Sequence, residues 1–154
     1  MAILKKLLLI FLLPLTLFSK NYTYLVDKYS KETELEAKIV TKIAKDILSS
    51  TKIKLFIPHI KTLDKEVYSK NITLVDRCED ANFVFIKYES LEKCKKDDNF
   101  ILTNNYRKLM SDKNYLGAFF WSKSRPNIVL IKDRLIQKNI NLPKEYNQFI
   151  EDIQ

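Results

Sequence analysis

Ala81-Asn82-Phe83-Val84-Phe85-Ile86-Lys87-Tyr88 is the stretch that decides the fold. Four apolar residues in a row, bounded by Asn82 and Lys87, fit a central strand covered on both faces. A strand with one wet face would alternate apolar and polar side chains. Just upstream, Ile53-Lys54-Leu55-Phe56-Ile57 stops at Pro58 and reads as a strand, as does Ile72-Thr73-Leu74-Val75. Downstream, Phe100-Ile101-Leu102-Thr103 repeats the pattern.

Further out, helices supply the covering layers. Leu35, Ile39, Ile43 and Ile47 recur every four residues, and Val40, Ala44 and Leu48 widen the stripe. Ser30 or Thr33 can cap this helix, and Thr33 with Glu36 also matches a capping box, which predicts a helix over about 33–49 after a mixed lead-in from Lys20 to Tyr29. Leu109 and Met110 mark one or two helical turns after Asn104-Asn105. The apolar runs Leu116–Trp121 and Ile128–Ile131 flank the polar stretch from Ser122 to Asn127, the pattern of a β-hairpin. Asp133 caps a short helix through Asn139, and Pro143 opens a last one with Tyr146, Phe149, Ile150 and Ile153 on its apolar face. An α/β (or α+β) domain follows, with one small sheet, helices packed against it, and a helix at either end.

The first 19 residues of the 154 have a different character. Lys5 and Lys6 precede an apolar run from Leu7 to Phe18, broken only by Pro14 and Thr16, and small Ser19 follows. That is the layout of a secretory signal peptide, too short to span a bilayer. Residues 20–154 then form one exported domain, with no linker or repeat inside it. Removing Lys5 and Lys6 lowers the formal charge from +8 to +6. Such a surplus inside a cell raises nucleic acid as a partner; export replaces it with anionic membrane surfaces or acidic proteins. Abundant Lys, Asn and Ile beside a single glycine also fit a biased genome composition.

Cys78 and Cys94 are the two cysteines. In an oxidising compartment a structural disulfide is the expectation, because the spacing is neither CxxC nor that of a metal site. Catalytic patterns are sparse. His59 is the one histidine, placed after Pro58 at a strand end; Glu79, Asp80, Asp97 and Asp98 come as adjacent pairs in loop positions. Gly117 is the only glycine, so there is no phosphate-binding loop, and no cofactor or metal is expected. In a chain that avoids glycine, Gly117 implies a positive φ, a bulge or a close backbone approach. The hairpin gives the most informative surface. Alternation puts Phe119 and Trp121 on one face and Phe120 on the other, with Lys123 and Arg125 at the tip. Phe120, Trp121, Lys123 and Arg125 are the candidate interaction residues.

The order of these segments resembles the YfiR-like periplasmic proteins. The comparable stretches are Lys52–Ile57, Ala81–Ile86, Phe100–Thr103, then Gly117–Phe120, a polar turn and Asn127–Ile131 leading to a helix, over residues 33–142. Three features depart from that family. No further glycine precedes Gly117, Lys132-Asp133 stands where an Asn-Leu pair is typical, and the closing segment opens at Leu142-Pro143. The resemblance implies a periplasmic regulator that binds the outer part of an inner-membrane signalling protein, such as a diguanylate cyclase. It carries over no catalytic residue. Beside it stand a small-ligand-binding protein resembling one lobe of a solute receptor and an enzyme of unrecognised type.

Overall fold

A computed structural model describes residues 17–87, Cys94 and 100–153, with only the backbone course given for residues 17–28. The expected leader therefore lies outside the described residues up to position 16. Helix α1 runs Leu17–Leu48, far longer than the expected 33–49. No glycine or proline occurs between Pro14 and Pro58, so nothing stops the helix from extending upstream. Thr33 is consequently an interior residue, buried, and not a cap. The buried stripe is Ala37, Val40, Ile43, Ala44 and Ile47, whereas Leu35 is 42% exposed. Residues four apart advance about 40° around a helix, so a strict four-residue recurrence drifts off the packed face.

Seven strands make a single mixed sheet in the order β2-β1-β3-β4-β5-β6-β7. They are β1 Lys54–Phe56, β2 Thr73–Leu74, β3 Phe83–Ile86, β4 Phe100–Thr103, β5 Gly117–Ser122, β6 Arg125–Ile131 and β7 Ile150–Glu151. The first five in that order run parallel; β6 is antiparallel to β5, and β7 parallels β6. Phe83, Val84, Phe85 and Ile86 are all buried, as a two-sided strand requires. Their side chains alternate between two cores. Phe83 and Phe85 join α1, Leu55, Val67, Tyr68 and Phe119 in one; Val84 and Ile86 join Ile101, Leu109, Tyr115 and both cysteines in the other. Helices thus lie on both faces: α1 and α2 (Thr62–Ser69) on the first, α3 (Tyr106–Ser111) on the second.

α4 spans Lys132–Gln137 and closes with Asn139 at φ 54°. The Asn139 and Ile140 amides donate to the carbonyls of Ile136 and Leu135, a Schellman closure. The expected last helix is instead a 3₁₀ turn, Lys144–Phe149, followed by β7. Leu130 of β6 offers an open ladder to Ile150, and that pairing takes precedence over a helical face. Pro143 does precede the turn, at φ −55°. Among the described residues, no helix is long and apolar enough to cross a membrane.

Candidate functional site

The parallel part of the sheet reverses direction of growth between β1 and β3. In doubly wound folds, ligands bind at the carboxyl ends of strands beside such a point. Here that position is filled by side chains. Lys87 directly follows β3, Asp64 lies in the first turn of α2 after β1, and Glu36 reaches over from α1. Lys87 Nζ stands 2.7 Å from Glu36 and 2.9 Å from Asp64. The Tyr68 hydroxyl donates to Glu36 at 2.9 Å, and that of Tyr29 to Asp64 at 2.8 Å. Asp64 has no exposed surface and Glu36 very little. Burial alone would push the Lys87 ammonium down, but the two carboxylates outweigh it and hold its pKa above the ordinary lysine range. Such a cluster ties α1 and α2 to the end of β3. Sequence reading missed all three charges. The usable signals were Lys87 bounding a fully apolar run and Glu36 lying four residues before Val40, on the buried face.

The hairpin forms as expected, with a tighter turn. β5 and β6 pair continuously from Gly117↔Leu130 to Ser122↔Arg125, so the tip is only Lys123-Ser124. Both have positive φ, 49° and 58°, as a two-residue type I′ turn demands. Alternation is as read: Phe119 is buried under α1, and Trp121 packs edge-on to it, ring centroids 6.0 Å apart. Phe120 points the other way, 6.0 Å from the Tyr106 ring of α3. The four candidate residues are therefore not one patch. Trp121, paired with Pro126, serves the α1 face; Phe120 and Arg125 share the opposite face by register; Lys123 sits at the tip.

The distal half of this hairpin packs on helices by its faces but has free strand edges among the described residues. β4 pairs with β5 only at Gly117 and Ala118, and β7 pairs with β6 only at Leu130 and Ile131. Among the described residues, Phe119–Ser122 and 125–129 have no further strand partner. Trp121 and Phe120 both remain partly exposed. Beside the ribbon, Ile39, Ile43, Ile128, Tyr146 and Phe149 line an apolar hollow of about 200 Å³. Lys42 rims it, bound to Asp46 and Glu145 at 2.7 Å each.

Other singled-out residues take structural places. Gly117 has no positive φ, and close approach explains it: a Cβ there would stand 2.5 Å from the Val129 carbonyl oxygen and from Leu130 Cδ2. Cys78 and Cys94 are paired, Cα atoms 5.7 Å apart, within the second core. His59 is exposed in the turn after β1, with a left-handed φ of 50°. Asp80 ion-pairs with Arg77, while Asp97 and Asp98 lie outside the described residues. Among the described residues, no group of three His, Cys, Asp or Glu side chains is placed to hold a metal ion.

The class these features define is an α/β domain built on one mixed sheet. A crystal structure of a conserved domain protein from Vibrio cholerae O1 biovar eltor str. N16961 is similar in fold, with a TM-score of 0.56 at 9% identity. The match covers 79% of this chain and 60% of that one, so the chain spans less than two thirds of that structure. No family model matches the chain, and no curated protein does.

Proposed function

We propose that the chain is an exported, non-enzymatic regulator or adaptor of the periplasm that binds the outer part of an inner-membrane signalling protein. The outer part of the β5–β6 ribbon is its docking element. The carrying observation is that, among the described residues, the ribbon's distal half has no strand neighbour on either edge while presenting Trp121 on one face and Phe120 on the other. A two-stranded ribbon alone is marginal in water, and aromatic side chains with arginine nearby are the types that anchor interfaces. The Cys78–Cys94 pairing supports an oxidising compartment, and the YfiR-like segment order supports a regulatory role.

The test uses the full chain with its own leader and a C-terminal tag, expressed in a bacterium with an outer membrane. Capture from solubilised inner membrane should enrich one signalling protein. Trp121→Ala and Arg125→Glu, both folded by circular dichroism, should each reduce that recovery about tenfold, a loss typical of interface anchors. An unprocessed chain found in the cytosol, or equal recovery by both variants, would rule the reading out.

A further inference from the structure

The sheet's other margin carries a groove that the ribbon does not use. Among the described residues β2, two residues long, is the edge strand on this side, and beside it a hollow of about 560 Å³ opens between α1, α2 and the strand. Ile53 and Ile72, both buried, and half-buried Leu74 supply its apolar lining, while Lys45, Lys65 and Asn71 supply its polar one. Lys45 and Asn71 also line an adjoining hollow of about 280 Å³, where Lys38 and Lys42 add two more cations. The acids nearby are Asp46 and Glu145, both 2.7 Å from Lys42, and Asp76, 3.3 Å from Lys65, so the positive excess comes from Lys38 and Lys45.

The backbone supplies the second half of the argument. In a parallel ladder, the N–H and C=O of one residue point to the same neighbour. The Val75 amide donates to the Leu55 carbonyl at 3.0 Å, so Val75 and Thr73 address β1. Leu74 therefore turns its N–H and C=O outward, along the groove.

From this geometry we infer a strand-addition site: an extended, acidic peptide segment of a partner pairs with the outer edge of β2. Its alternate apolar side chains lie over Ile53 and Ile72, and its carboxylates meet Lys38, Lys45 and Lys65. Backbone pairing gives such complexes affinity, and alternate side chains give them selectivity. A second copy of this chain is disfavoured as occupant, because pairing β2 with β2 brings the same lysines face to face.

Fluorescence anisotropy with the full, oxidised chain tests this. The probe is a labelled ten-residue peptide alternating valine and glutamate. Three losses of about tenfold or more are expected: with Lys45→Glu/Lys65→Glu, with a valine–lysine probe, and with a valine–glutamate probe N-methylated at alternate amides. The methylated probe keeps every charge, so its loss reports the backbone ladder. Trp121→Ala should leave binding unchanged, which separates this site from the ribbon. Three results would overturn the inference. They are equal binding of the methylated probe, displacement of the peptide by inorganic phosphate or phosphatidylglycerol vesicles as well as by unlabelled peptide, and no binding of the first probe.

Discussion

Gly117 and Lys87 show two ways in which one residue constrains this protein. Gly117→Ala places a methyl group against the Val129 carbonyl, which belongs to the neighbouring strand and cannot retreat without loosening the ladder. Urea denaturation should show a loss of about 1–3 kcal/mol, the cost of overpacking. Lys87→Met leaves Glu36 and Asp64 buried without their cation and should cost about 3–5 kcal/mol at neutral pH. The alkaline limb gives the sign. Because the folded ammonium titrates above its unfolded value of about 10.4, its contribution is complete below that pH and fades as pH rises through the folded value. The gap between wild type and Lys87→Met should therefore narrow only above about pH 10.4. A gap that narrowed between pH 7 and 9 would contradict this. Gly117 was legible because a lone glycine inside a strand needs a reason. The ion cluster was not, since its members lie in three separate segments: Glu36 reads as half of a capping box, Lys87 as the end of a strand, and nothing local joins either to Asp64.

At the level of elements, long or fully apolar segments were readable and short ones were not. The continuous run Phe83–Ile86 identified the central strand. The hairpin was visible from its two apolar arms, but Pro126 made the tip look six residues long. Proline is tolerated there because, among the described residues, no outer strand pairs with that part of β6. α2 carries Asp64 in its buried face and lacks a side-chain cap at Lys61, so neither signal of a helix was present. β7 hid behind Tyr146, Phe149, Ile150 and Ile153, whose spacing imitates a helix although only a 3₁₀ turn forms. The hairpin tip allows a sharper test. Ser124 holds φ 58°, a conformation that costs a non-glycine residue about 1–2 kcal/mol. Ser124→Gly should recover about 1 kcal/mol, less the backbone entropy that glycine adds to the unfolded chain. The measurement is thermal unfolding, and a lowered midpoint would mean the turn is not the strained element described.

For the molecule as a whole, the sheet order and the disulfide act together. Cys78 precedes β3 in a 3₁₀ turn and Cys94 follows it, so the bridge brackets the most buried strand. With the two cysteines 16 positions apart in sequence, reduction should cost about 3 kcal/mol in the chain-entropy account. Urea curves with and without reductant measure it, and coincident curves would show that the bridge contributes nothing. The α/β class was legible because the apolar strands and the long helix signal themselves locally; strand order was not, because it depends on pairings between distant segments. One of those pairings governs how the domain is completed. Among the described residues, β7 is the last strand in sequence and the outermost beside β6. Until those two residues are in place, Leu130 presents bare hydrogen-bonding groups to any neighbouring polypeptide, because the Ile131 amide turns the other way, to the Leu116 carbonyl. Assembly on that side ends with a clasp, and the interval before it shuts is when newly made copies are most prone to stick together.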